Sequence, residues 1–274
     1  DDHSDDGSFE YLQKNALSNW KIMCLPNDRK GKKSALDWAF SQTDTPWLLL
    51  TDADCQPPKY WIEQTMQHSA NASLIAGFSP VQERKFADKI TNFEHLCSAA
   101  VAAAFCGWNF PFQMAARNMA FKREIYSGFR EDCSGGDDME LAKMARKQKR
   151  KSLYIFNKNQ MVTTLPPQAK THFHQQSRRY GKWHFYPVWL LAAAGILALF
   201  YIDFFLFPFI GGAFAGWLAI LLIKSLLEFA ILFPLAKKLH NLSMLWLWPI
   251  MAFYYPFHAL FYSVNGLFKN YRWK

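Results

Sequence analysis

Charged and apolar positions interleave along the chain up to about Tyr186, and after Pro187 the sequence turns overwhelmingly apolar. In the first part, short apolar runs alternate with longer amphipathic stretches. The runs "TPWLLLTDAD" (45–54), "ASLIAGFSPVQ" (72–82), "SLYIFN" (152–157) and "MVTTLP" (161–166) predict strands. Between them, residues 35–42, 58–70, 92–107 and 137–151 predict helices, and "ARNMAFKREIYSGF" (116–129) predicts a strand leading into a helix. Strand–helix alternation implies an α/β domain with a mostly parallel sheet, its ligands at the C-terminal ends of the strands.

The apolar part divides into three stretches. Residues 187–210 hold only Asp203 as a charge, 211–236 hold only Lys224 and Glu228, and 243–264 hold none but include Pro249 and Pro256. Each exceeds the ~20 residues that a helix needs to cross a bilayer core. Lys224 and Glu228, four apart, share a helix face and can pair. Basic residues precede the first stretch ("RRYGKW", 178–183) and follow the second ("KKLHN", 237–241), which places both blocks on the cytoplasmic side. A third segment that crosses once would carry the basic tail "KNYRWK" outside, whereas one that bends at its prolines would not.

Composition sharpens this division. Of 274 residues, 51% are hydrophobic and 17% aromatic, and 31 basic against 22 acidic residues leave a net charge of +9. An anionic membrane surface or a phosphorylated substrate accounts for the basic blocks better than nucleic acid, because the last block abuts an apolar segment. Five cysteines (24, 55, 97, 106, 133) without a C-x-x-C spacing read as mostly buried thiols in a reducing compartment.

Candidate chemistry gathers at a few places. Asp52 and Asp54 follow an apolar strand, where alternation in an extended chain would turn both carboxylates to one side. Oxygen ligands of this kind suit Mg2+ or Mn2+. "NDRKGKKSALDWA" sets a basic, Gly-containing loop before a helix, where backbone N–H groups and Lys32 can hold phosphate. Asp137 and Asp138 follow two glycines at a helix start, a place for capping or for a general base. His172 and His174 read as structural.

In this order, "DDHSDDGS", "GKKSALDWA", "LLLTDADCQPP", "ARNMAFKREIYSGF", "GGDDMELA" and "QSRRY" resemble the membrane-bound branch of glycosyltransferase family 2. The resemblance implies a GT-A-like nucleotide-sugar-binding domain over 1–186 and a membrane domain over 187–274. It implies Asp2 as a contact to the nucleotide base, Asp52 near ribose and diphosphate, Asp54 on the metal and Asp138 as catalytic base. Gln176, Arg179 and Tyr180 match a Q-x-x-R-W motif with Tyr for Trp, which holds diphosphate and closes the acceptor side. Asp137 stands where Glu is usual, and Asp37 where Asn is common. The family's first strand is expected upstream of residue 1.

The function expected from this resemblance is inverting, metal-dependent sugar transfer. A nucleotide-sugar would be the donor and a lipid or glycan the acceptor, at the cytoplasmic face of an inner or plasma membrane. Two alternatives use the same residues: a metal-dependent phosphotransferase or hydrolase, and a non-catalytic membrane protein that binds nucleotide-sugar.

Overall fold

The structure is a computed structural model that describes residues 1–130, 136–167, 169–181, 186–210 and 214–268. Cys133 and the basic tail 269–274 lie outside the described residues. In chain order the elements are α1 (Ser8–Asn15), α2 (Lys32–Ser41), β1 (Trp47–Leu50), β2 (Cys55–Gln56), α3 (Trp61–Met66), β3 (Leu74–Gly77) and α4 (Phe86–Gly107). There follow β4 (Met119–Lys122), α5 (Asp137–Lys147), β5 (Ser152–Ile155), β6 (Thr163–Thr164), α6 (Ala169–Tyr180), α7 (Val188–Leu206), α8 (Phe214–Lys238) and α9 (Trp248–Leu267). Packing divides the chain into two compact units. One comprises Asp1–Asp52, Ile62–Ala76 and Ala102–Tyr154; the other comprises Ala53–Trp61, Gly77–Val101 and Ile155–Lys274.

The first unit is built on a sheet of order β1-β4-β3-β5. This sheet is mixed, which corrects the expectation of mostly parallel strands. β4 runs antiparallel to both β1 and β3, pairing Leu48 with Phe121 and Ile75 with Ala120. The N–H groups of Leu74 and Phe78 donate to the carbonyls of Lys151 and Ile155, the offset of a parallel neighbour. A connection as long as α4 can deliver the next strand from either end of the sheet, so alternation of elements does not fix strand direction. Behind β4 comes a 3-10 turn (Arg123–Ile125) where the sequence predicted a helix; buried Ile125 and the Arg123 bond to the Phe40 carbonyl tie it down.

Burial in this unit follows the pattern of the sequence. Leu48 and Leu50 alternate inward from β1 and meet Leu74, Met119 and Phe121. Leu141, Ala142 and Ala145 cover the core from one stripe of α5. Phe40 of α2 packs edge-on against Phe121 and Tyr126, at centroid distances of 5.7 and 4.9 Å. Tyr126 donates its hydroxyl to Asp37, so the residue standing in the place of the family's Asn serves this core.

In the second unit β2 and β6 form a short antiparallel pair. α6, which sequence reasoning left unassigned, is a polar helix that turns Gln176 and Ser177 inward. It meets α9 closely: a Cβ on Gly266 would sit 2.6 Å from the Gly181 nitrogen and 2.8 Å from the Ser177 carbonyl, so only glycine fits. Among the described residues, Val188–Phe209 and Phe214–Lys238 are long and apolar enough to cross a membrane, by length and composition. Of the three expected segments, the third forms α9 and falls outside this group. Its buried His258 lies 3.5 Å from Glu94 and its Tyr255 hydroxyl accepts from Tyr180, so α9 carries a polar face against α4 and α6. The expected pair within α8 is formed, with Lys224 Nζ 2.6 Å from Glu228 and Trp248 Nε1–H donating to the same carboxylate at 3.0 Å.

The thiols correct a further expectation. Of the four described cysteines only Cys106 is buried; Cys24 is exposed, and Cys55 and Cys97 are partly so. Cys24 lies in the extended stretch before the basic loop, where no helix or strand covers it.

Candidate active site

The N-terminus of α2, the end of β1 and the N-terminus of α5 bring one lysine between two carboxylates. Lys32 Nζ lies 2.8 Å from Asp52 Oδ1 and 3.2 Å from Asp137 Oδ2. Burial by itself would lower the lysine's pKa, but Asp137 and Asp52 outweigh it and raise it to about 12. Lys32 is therefore charged at neutral pH. Burial pushes the Asp137 carboxyl upward, the Asp138 charge adds to the push, and Lys32 opposes it.

Local sequence explains why these groups meet. Gly31 has φ +92°, a region that side chains avoid, and its N–H donates to both oxygens of Asp2, at 2.9 and 3.1 Å. Asp2 thus anchors the Gly-Lys-Lys loop. Gly136, with φ +82°, stands at the cap position of α5 and leaves Asp137 and Asp138 in the first turn, where the helix dipole favours carboxylates. Asp138 is not the cap residue. It is half-buried, and its Oδ1 accepts the Met139 N–H at 2.8 Å. A cleft of about 500 Å³ is lined by Asp1, Trp20, Met23 and Trp38, and Lys32, Asp52 and Asp137 are not among its lining residues.

Asp52 and Asp54 are brought together by a turn and not by strand alternation, because β1 ends at Leu50. Within this one stretch of chain, ligand atoms of Asp52, Asp54 and Cys55 lie within 4.8 Å of one another. The Cys55 thiol sits 3.6 Å from Asp54 Oδ1, as a donor to it. Mg2+ and Mn2+ favour oxygen over sulfur, so the two carboxylates are the donors that suit them. These residues fit a divalent cation that keeps several waters or phosphate oxygens among its ligands.

Gln176, Arg179 and Tyr180 all lie on α6 in the second unit, turned towards α4 and α9. Gln176 Nε2 donates to Glu94 at 3.2 Å, Arg179 donates to Ser98 Oγ, and Tyr180 donates to Tyr255 at 3.0 Å. His172 packs edge-on against Tyr262. Glu94 was missed in the sequence, although a lone acid inside the apolar run "NFEHLCSAAVAAAFCG" is the signal that marks it.

Burial raises the Glu94 pKa from 4.5 to about 6, against the opposing pull of Arg179 and Gln176. A carboxylate raised in the folded state destabilises when ionised, so stability should increase as pH falls from about 6 towards 4.5. The gain is on the order of 2 kcal/mol. Melting curves of wild type and Glu94→Gln between pH 7 and 4.5 check this. The wild type should gain on the variant as pH falls, and parallel curves would refute it.

Residues 1–126 match the family model described as glycosyl transferase family 2. No curated protein matches the chain. The similarity to glycosyl transferase family 2 thus covers the first 126 of the 274 residues.

Proposed function

We propose that this protein is an inverting, metal-dependent glycosyltransferase that moves a sugar from a nucleotide-sugar to a lipid or saccharide acceptor at the cytoplasmic face of a membrane. The observation that carries this reading is the convergence of Asp52 and Asp137 on Lys32 in a chain whose first 126 residues match the family model of glycosyl transferase family 2. The family implies the GT-A α/β fold, a nucleotide-sugar donor and an acceptor.

Each residue then has a task. Asp52 and Asp54 would hold Mg2+ or Mn2+, which supplies positive charge to the leaving diphosphate. Lys32 donates to Asp52 and lies within ion-pair distance of Asp137, and its ammonium, with three N–H donors, can also meet a phosphate oxygen. The N-terminus of α2, fixed by Asp2 at Gly31, adds backbone N–H groups for the same anion. Asp2 stands by the base and Asp137 by the sugar. Asp138 takes the proton from the acceptor hydroxyl. That oxygen attacks the anomeric carbon, the bond to diphosphate breaks on the opposite side, and the configuration inverts. The family resemblance gives Gln176, Arg179 and Tyr180 a role toward diphosphate and acceptor, and on α6 they are held by Glu94, Ser98 and Tyr255.

The membrane assignment is supported by α7 and α8. Only 6% of the apolar window of each is buried, which leaves rows of side chains such as Ile196, Leu199, Leu222 and Leu226 exposed. In water that surface would cost about 25 cal/mol per Å²; a bilayer removes the cost. Residues 1–186 then form the catalytic domain and 187–274 the membrane domain.

Incubating membranes that carry the full chain with a panel of UDP-, GDP- and CMP-sugars, with Mn2+ or with chelator, tests this reading. Mass spectrometry should find a glycosylated lipid or saccharide only when divalent cation is present. Phosphate release without sugar addition would overturn the transfer reaction.

A further inference from the structure

We propose that Lys33 and Glu140 form a buried clasp that sets the position of the acids at the start of α5, and so act as positioning residues for sugar transfer. This rests on Asp138 as the base. Lys33 Nζ lies 2.5 Å from Glu140 Oε1, and the two side chains are 10% and 4% exposed. The other carboxylate oxygen accepts the Arg130 N–H at 2.9 Å, and Lys33 also donates to the Arg130 carbonyl at 3.4 Å. One lysine and one glutamate therefore grip both polar groups of the same peptide residue.

The placement of the pair gives the clasp its role. Lys33 directly follows Lys32, which bridges Asp52 and Asp137, and Glu140 sits one helical turn after Asp137. Fixing Glu140 to Lys33 fixes the start of α5 against the start of α2, and with it the placement of Asp137 and Asp138. A buried ion pair is a poor way to gain stability, since an apolar pair of similar size often does as well or better. What the ion pair adds is direction: three polar contacts define one register, where apolar side chains would tolerate several. Lys33 and Glu140 are engaged with each other and with Arg130, so neither is proposed as a catalytic residue. Glu140 is also removed from consideration as a base, because both its oxygens are occupied.

The test uses the purified full chain carrying Lys33→Met with Glu140→Met, which replaces the pair by apolar side chains of similar length. Melting should be unchanged or higher, and calorimetric binding of UDP or GDP with Mn2+ should stay within about two-fold. The kcat for the nucleotide-sugar found in the panel assay should fall ~10–100-fold with KM little changed, the scale expected when reacting groups shift by about 1 Å. Wild-type kcat in this variant overturns the clasp. Should the double variant fail to fold, Glu140→Asp keeps the charge but shortens the reach: a lowered kcat at near-native melting supports the proposal, and full kcat overturns it. Asp138→Asn in the same series separates the two readings. If it is inactive while the double variant is normal, only the clasp fails; if it is active, the base assignment fails.

Discussion

Replacing Asp138 by Asn should cut product formation by ~10²–10⁴-fold and leave donor affinity nearly unchanged, the loss typical of a missing general base. The substitution is conservative for the fold. Gly136 holds the cap position, and the bond that Asp138 Oδ1 accepts from the Met139 N–H can be kept by an amide oxygen. In the proposed reading, donor binding draws on Asp2, Lys32, Asp52 and Asp54 instead. Turnover and nucleotide affinity measured on the same variant decide the matter. Near-normal turnover would leave Asp138 a residue of the first helical turn and shift attention to Asp137. That neighbour is a poorer base at the outset, because one of its oxygens is engaged by Lys32.

Asp54→Ala should remove the part of nucleoside diphosphate binding that depends on metal. Asp54 is exposed and supplies one of two hard oxygen donors, so its loss leaves Asp52 alone, already in contact with Lys32. The loss in metal affinity should at least equal the ~10–100-fold that removal of an outer-shell partner costs. Titrating UDP and GDP calorimetrically, with and without Mn2+, reads it directly. Binding that still responds to Mn2+ as in wild type would show that the ion sits elsewhere. Folding should be unaffected, since Asp54 lies in a turn after β1 and its side chain meets solvent and Cys55.

The parts of the site that could be read in the sequence are those whose geometry is local. An apolar strand followed at once by Asp52 and Asp54, a glycine ahead of Lys32, and glycines ahead of Asp137 and Asp138 each declare themselves within a few residues. The same holds for Lys224 and Glu228, one helical turn apart, which pair as their spacing requires. Even here a detail was misread: a turn, and not the pleat of a strand, sets the two metal-binding candidates together.

The remaining features depend on segments far apart in the chain. Lys33 and Glu140 are separated by 107 positions, and Glu94 and Gln176 by 82. Hydropathy cannot announce such a pairing, because a buried charge looks like an exposed one until its partner is known. The antiparallel course of β4 was hidden for a related reason: a strand's composition reports its burial but not the direction of its neighbours. α9 shows both effects at once. Its run of apolar residues read as a membrane span like α7 and α8, yet His258 and Tyr255 give it a polar face against α4 and α6. By itself, then, the sequence determined where most of the strands and the apolar helices form, where the chain becomes apolar, and which acids stand at element ends, since each follows from side-chain pattern over a few residues. Only the tertiary structure decided strand direction, the Lys32 bridge, the Lys33–Glu140 clasp and the burial of Glu94, because contacts between distant segments, and the loss of water around them, exist only once the chain is packed.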